Sequence, residues 1–83
     1  MPALFVLSVP EFQPLIDCAE TQGDLTVTAI GEYRKIHSTA EIVIHRAATG
    51  LGQAVWFGAL TGGFEGVILE FNEIRLMIGP NIA

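Results

Sequence analysis

Side chains that can carry a positive charge are concentrated in one short window of an otherwise acidic chain. Residues 34–46 hold five of the six such side chains, namely Arg34, Lys35, His37, His45 and Arg46. Arginine presents a planar fork of donors that suits carboxylate and phosphate groups. The window therefore predicts either an anion-binding site or a solvent-facing pair of strands, whose cations protect a sheet edge and balance Glu32 and Glu41.

The segment Thr49-Gly50-Leu51-Gly52 follows this window and places two glycines at the expected start of a helix. Free backbone amides at a helix start attract anions. The segment lacks the third glycine of the dinucleotide-binding fingerprint and the Gly-Lys-Ser/Thr ending of a Walker loop, so a specific nucleotide site is not predicted. One hypothesis is an enzyme or sensor for a small anionic ligand, which would be bound by His45, Arg46, Thr49, Gly50 and Gly52.

The other reactive side chains form no recognisable catalytic or metal-binding pattern. His37 and His45 have no thiolate or carboxylate partner at a ligating spacing, so we predict no metal site. Tyr33 and His45 are able to exchange protons near neutral pH, but nothing in their spacing brings them together. The sequence shows no Ser-His-Asp or Cys-His arrangement. We assign no catalytic residue and no cofactor, and both an enzyme and a noncatalytic protein stay open.

The single cysteine and most of the carboxylates are interpreted as structural or solubilising groups. Cys18 follows Leu15 and Ile16 on an apolar helical face, and neighbouring carboxylates raise the pKa of a thiol. We therefore expect a core cysteine rather than a nucleophile. The acidic side chains are spread along the chain without a telling pair: Asp17, Glu20, Glu65, Glu70 and Glu73.

An apolar, glycine-rich segment after Thr49 predicts a helix over residues 51–60. Gly50, Ala54 and Gly58 fall one turn apart, and large apolar side chains cover most of the remaining circumference. Such a helix must be buried on more than one side, because it is apolar nearly all round. A single sheet buries only one side, so a second surface is needed for the other. Two interpretations carry equal weight: a central core helix, or a subunit interface formed by Leu51, Val55, Trp56, Phe57 and Leu60.

Hydrophobic periodicity predicts an α+β two-layer sandwich, with a mainly antiparallel sheet and helices on one face. The predicted order is β-α-β-β-β-α-β-β in one domain over residues 1–83. Strands are expected at residues 24–30, 33–37, 41–45, 66–71 and 74–78, and the first three of these are expected to form a meander. Residues 3–7 are interpreted either as a strand, which we favour, or as a buried segment that leads into the first helix. The first helix begins either at a capping box of Ser8 and Glu11 or near Pro14, and Gly23 is expected to close it.

Composition limits the partners of this chain. Its 83 residues carry a formal net charge of −5, which disfavours nucleic acid. Apolar stretches are too short for a membrane span, and the apolar run near the amino terminus is short and lacks the preceding basic residue of a signal peptide. We therefore expect a soluble cytoplasmic protein that does not associate with membranes.

The apolar content of the chain predicts association with another protein. Hydrophobic residues make up 51% of the sequence and charged residues only 16%. A domain this small buries only about 60% of its unfolded surface and is marginal alone. The leading hypothesis is a noncatalytic homo-oligomer, with a dimer as the expected form, or an accessory subunit of a larger complex.

Overall fold

Two antiparallel sheets and three helices form the fold in the computed structural model, which describes residues 1–80. The elements in chain order are β1 Ala3–Leu7, α1 Gln13–Thr21, β2 Thr26–Ile30, β3 Tyr33–His37, β4 Ile42–His45, α2 Arg46–Thr49, α3 Gln53–Phe57, β5 Phe64–Glu65, β6 Val67–Phe71 and β7 Arg75–Gly79. The α+β class and the predicted succession of strands and helices are confirmed. None of the helices within the described residues has the length and apolar character needed to cross a membrane.

The strands divide into a four-stranded sheet A and a three-stranded sheet B. Sheet A has the order β2-β3-β1-β5, and sheet B has the order β4-β7-β6. The predicted meander is therefore wrong at its third strand, because β4 pairs with β7 rather than with β3. The connection at residues 38–41 leaves sheet A: the amide of Ser38 donates to Pro2, and its hydroxyl accepts from the amide of Ala40.

The hairpin formed by β2 and β3 agrees with its prediction from alternation. Its two-residue turn begins at Gly31, which has a φ of 57°. A two-residue hairpin turn with a positive φ at its first position favours glycine there, because glycine has no Cβ atom to clash in that conformation. The register then runs without interruption from the pair Ile30 and Tyr33 to the pair Thr26 and His37.

Helix α1 starts at the later of its two predicted positions. The N-cap residue is Val9 for the Pro10–Phe12 3-10 turn and Phe12 for α1, so Ser8 caps neither element and the predicted capping box of Ser8 and Glu11 does not begin the helix. Pro14 lies in the first turn of α1, where the missing amide hydrogen costs no helical hydrogen bond. The helix ends at Thr21, one residue before its C-cap, and its buried face belongs to the core.

The predicted helix over residues 51–60 is too long. Helix α3 covers Gln53–Phe57, with Gly52 as N-cap and Gly58 as C-cap, and turns follow to residue 62. The glycines explain the early end, because the chain must approach β1 closely. A Cβ atom on Gly62 would lie 2.2 Å from the carbonyl oxygen of Phe5.

A single glycine carries the chain from sheet A to sheet B. Strand β5 pairs with β1, strand β6 pairs with β7, and Gly66 lies between β5 and β6 with a φ of 120°. A Cβ atom there would lie 2.4 Å from the carbonyl oxygen of Gly79. Only glycine fits this crossing, both by its conformation and by its space.

One hydrophobic core joins both sheets and the helices. It contains buried side chains from β1, β3, β4 and β7, from α1, and from the α3 segment. Its largest fully buried members include Trp56, Leu4, Leu15, Ile16, Ile36, Ile42, Ile44, Leu76 and Ile78. The inner faces of the two sheets are therefore buried together, and their outer faces carry the partly exposed residues.

Candidate functional site

The predicted anion-binding residues lie along one segment of the fold. His45 ends β4, Arg46 and Thr49 bound α2, and Gly50 closes α2 in a left-handed conformation with a φ of 75°. Gly52 is the N-cap of α3. His45 is exposed and stands opposite Arg75 of β7 in the strand register. The five predicted residues thus lie in one continuous stretch from the end of β4 to the start of α3. The hydrogen bonds of this stretch show which groups its side chains bind.

Arg46 uses its side chain to hold backbone carbonyl groups. Its Nε donates to the carbonyl oxygen of Glu73 at 2.5 Å, and its Nη1 donates to that of Leu51 at 3.0 Å. The Arg46 amide also donates to the carbonyl of Ile74 at 2.9 Å. The guanidinium therefore ties the turn between α2 and α3 to the tip of the β6–β7 hairpin.

Thr49 is likewise engaged with the backbone. Its buried hydroxyl donates to the carbonyl oxygen of Arg46 at 2.7 Å and accepts from the amide of Leu51 at 3.1 Å. Gly50 donates its own amide to the same Arg46 carbonyl at 3.1 Å. These bonds close a helix of four residues. They favour a structural role for the segment over the anionic-ligand hypothesis.

The five predicted interface residues separate into core and surface. Leu51 and Trp56 are buried in the core of their own chain, and Val55 and Leu60 are partly buried against it. Trp56 is 0% exposed, and its Nε1 donates to the carbonyl oxygen of Asn72 at 2.6 Å. Phe57 is 47% exposed and packs edge-on against Phe71, with ring centroids 5.5 Å apart. Trp56 and Leu51 thus lie in the core of their own chain, as the core interpretation of this helix expects.

Glu70 and Arg75 form an ion pair on sheet B that the sequence analysis does not predict. Nε of Arg75 donates to a carboxylate oxygen of Glu70, across the β6–β7 hairpin. This hydrogen bond holds the pKa of Glu70 below its ordinary value and raises the pKa of Arg75, and the charge of Arg75 lowers the Glu70 pKa further. The predicted hairpin contained the signal, since it places strands 66–71 and 74–78 side by side.

The other reactive groups lie apart from one another. Tyr33 is in sheet A and His45 is in sheet B, so the two proposed proton-exchanging groups are on different sheets. Cys18 is buried, and desolvation raises the pKa of its thiol, which disfavours the reactive thiolate. Within residues 1–80, no cluster of three or more His, Cys, Asp or Glu side chains has a geometry suited to a metal ion.

Four strand edges end the two sheets, and three of them have a feature that limits pairing. On β4, the carbonyl of Val43 accepts from Nε2 of Gln22 at 3.0 Å. Strand β5 has only two residues. Strand β6 carries Glu70 and an irregular register between Ile68 and Glu70. Bulges, charges and short length are common protections of sheet edges.

The fourth edge, that of β2, has none of these protections. Its five residues, Thr26–Ile30, include no charged residue and no proline, and the register to β3 is regular. Four of the five residues are exposed, and only Val27 is partly buried. We call the outward side of Thr26–Ile30 the β2 edge. The signal in the sequence was an uncharged, alternating strand beside the cationic β3.

The outer face of sheet A beside the β2 edge combines apolar and polar groups. Ile30 is 47% exposed and lies opposite Tyr33, which is 38% exposed. Thr28 Oγ1 lies within hydrogen-bond distance of His37 Nε2, at 3.2 Å. Lys35 Nζ is 5.9 Å from the ring centroid of Phe5. This face thus has apolar side chains available for contact next to an edge that is able to pair.

No protein-family model matches the chain, and no curated protein matches it.

Proposed function

We propose that this protein is a noncatalytic subunit that acts by protein association, as a homo-oligomer or as an accessory subunit, and that the β2 edge is its association surface. The observation that carries this proposal is the regular, uncharged and exposed edge strand at the end of sheet A. Such a strand presents unpaired amide and carbonyl groups in the pattern that a second extended strand needs.

The distribution of apolar side chains supports association. Among the described residues, exposed large apolar side chains are found at Met1, Ile30, Tyr33, Phe57, Phe64, Val67, Leu69 and Ile74. Ile30 and Tyr33 lie at the β2 edge or in the neighbouring strand. A pairing strand that covers the β2 edge would also remove part of this apolar surface from water, which adds to the backbone hydrogen bonds.

The hydrogen bonds of the predicted anion-binding segment support a noncatalytic role. Arg46 and Thr49 donate to carbonyl groups of their own chain rather than pointing to a cleft. The buried thiol of Cys18 has a raised pKa. The residues best suited to chemistry therefore stabilise the fold.

Native mass spectrometry and light scattering test the proposed function. The purified protein would be measured from about 10 μM to about 1 mM, a range that covers weak complexes. We expect a population of complexes that grows with concentration, or a stoichiometric protein partner that is retained through purification. A bare monomer across the whole range would contradict the proposed function.

A further inference from the structure

We propose that the occupant of the β2 edge is a second copy of this chain, which pairs β2 with β2 antiparallel in a register centred on Thr28. This inference rests on the proposed function and names its partner. The pairing would join two four-stranded sheets into one sheet of eight strands, related by a two-fold axis through the Thr28 pair.

The hairpin geometry fixes which backbone groups of β2 point outward. The turn at residues 31–32 makes Ile30 and Tyr33 a pair that exchanges hydrogen bonds. Hydrogen-bonded and non-hydrogen-bonded pairs alternate in an antiparallel ladder. The pairs of Thr28 with Lys35 and of Thr26 with His37 are then also hydrogen-bonded. The amide and carbonyl groups of Val27 and Ala29 therefore point away from β3, towards the β2 edge.

A register centred on Thr28 uses all of these outward groups. It places Val27 opposite Ala29 of the second copy, and Ala29 opposite Val27 of the second copy. Each of these two pairs exchanges two backbone hydrogen bonds, so that the interface contains four. Thr28 faces its own symmetry mate as a non-hydrogen-bonded pair, in which the two side chains lie closest.

Within the paired strands, this register sets no like charges opposite one another. None of the nine acidic residues lies in β2 or β3. Lys35, the nearest cation on the outer face, lies one strand inward in each copy, so the backbones that carry the two lysines are three strand spacings, or about 14 Å, apart. That distance exceeds the Debye length of about 8 Å at physiological salt. In the two-fold pairing, the two copies of Lys35 therefore repel each other little.

The register also covers the exposed apolar residue of β2. Ile30 of one copy lies opposite Thr26 of the second copy, on the outer face that carries Tyr33. Threonine and isoleucine are β-branched side chains that suit cross-strand contact. Both ends of the interface gain this contact, because the two-fold axis repeats it.

A proline substitution with a matched control tests whether the β2 edge pairs. Ala29→Pro removes an outward amide, while the ladder between β2 and β3 keeps its hydrogen bonds, and an edge position of this kind tolerates proline. Ala29→Val keeps the amide and adds a β-branched side chain at an exposed position. We expect Ala29→Pro to weaken self-association at least about tenfold. We expect Ala29→Val to retain or strengthen it.

A cysteine crosslink tests the register without relying on the folding of the proline variant. In a non-hydrogen-bonded pair, the Cα atoms are about 4.5 Å apart, which a disulfide spans. Thr28→Cys should therefore give a disulfide-linked dimer on mild oxidation. The matched control is Thr26→Cys, whose symmetry mate would lie about 14 Å away, and which should stay unlinked. The wild type controls for Cys18, which is buried.

The outcomes separate the inference from the proposed function. A wild type that is a bare monomer at about 1 mM overturns both. Self-association that persists in Ala29→Pro, with no crosslink through Thr28→Cys, overturns the β2 pairing and leaves association through another surface. Crosslinking of Thr26→Cys as readily as Thr28→Cys overturns the register. A different protein found bound at the β2 edge overturns the second copy as its occupant.

Discussion

At the residue scale, Arg46 and Trp56 perform the same task at one hairpin tip. The guanidinium of Arg46 binds the carbonyl of Glu73, and the indole of Trp56 binds the carbonyl of Asn72. The side chain of Asn72 in turn accepts from the amide of Arg75. A tight turn leaves such backbone groups without strand partners, so side chains from the helical segment satisfy them.

Replacing Arg46 should therefore lower stability. Arg46→Ala removes a charged donor from two carbonyl groups, and we expect the free energy of unfolding to fall by about 2 kcal/mol. Arg46→Lys should recover less than half of the loss, because a single ammonium lacks the fork that reaches both carbonyls. Urea unfolding followed by Trp56 fluorescence measures both variants. Unchanged stability of Arg46→Ala, together with a loss of stabilisation by phosphate, would instead favour the anionic-ligand hypothesis.

The Glu70–Arg75 pair predicts a pH dependence with a defined sign. Because the hydrogen bond from Arg75 lowers the pKa of folded Glu70, the pair stabilises the fold above the unfolded-state value of about 4.3 and loses this effect as pH falls through the lower folded-state value. Glu70→Gln should therefore destabilise the protein at pH 7 and match the wild type at strongly acidic pH. Urea unfolding at several pH values measures this.

Glu73→Gln is the matched control for the Glu70 substitution. Glu73 is an exposed carboxylate at the tip of the same hairpin, and it forms no ion pair within the part of the chain that the structure describes. We expect its replacement to leave the pH dependence of unfolding almost unchanged. A Glu70→Gln variant that behaved like this control would show that the ion pair has no measurable effect, as is common for exposed pairs.

At the element scale, local patterns predicted the strands but not the sheet to which each belongs. Strand β4 alternates buried and less buried residues, and its position was predicted to within one residue. Its partner could not be predicted, because β7 lies far along the chain and pairing depends on the core that both strands bury. Short connections bias a prediction towards neighbouring strands, and the β3–β4 connection is an exception to that tendency.

The length of α3 shows a second limit of local patterns. Helical spacing of apolar residues continues to Leu60, yet the helix ends at Phe57. The periodicity does not reveal that Gly62 and Gly63 must lie against β1, where Gly62 fits and a larger residue does not. The predicted interface depended on the longer helix, and the candidate surface at β2 became visible only once strand order and exposure were known.

Substitution of Gly62 tests the close approach to β1. Gly62→Ala would place a Cβ atom against the backbone of Phe5, which cannot move without disturbing its strand, so we expect a loss of at least about 2 kcal/mol. Gly52→Ala is the control, since its added Cβ meets no atom within 4 Å. Its cost should stay below about 1 kcal/mol, as expected at an N-cap. Chemical unfolding of both variants measures the difference, and equal costs would contradict the packing argument.

At the scale of the whole molecule, apolar content divides between one core and the outer faces of two sheets. Sequence analysis correctly indicated the α+β class, because class follows from the periodicity of each element. It assigned the excess apolar residues to one helix, whereas the structure buries Trp56 and leaves exposed residues on several strands. Two sheets have more outer surface than the single sheet that was predicted.

Net charge predicts how salt affects the proposed dimer. Each copy has a formal charge of −5, and the Thr28-centred register brings Asp24 of one copy towards Glu32 of the other at both ends. Screening should therefore strengthen the dimer, so that raising salt from about 20 mM to about 150 mM lowers the dissociation constant. Sedimentation equilibrium at both salt concentrations measures this. Weaker association at the higher salt would indicate an interface held by opposite charges.

The pairing of β4 with β7 also bears on how the protein is made. During synthesis, β4 leaves the ribosome about thirty residues before β7, the one strand that pairs with it among residues 1–80. Ile42 and Ile44 are both fully buried in the finished fold. During that interval, neither side chain is packed against β7. Sheet B therefore forms late, and the nascent chain offers a chaperone an apolar segment until residues 75–79 emerge.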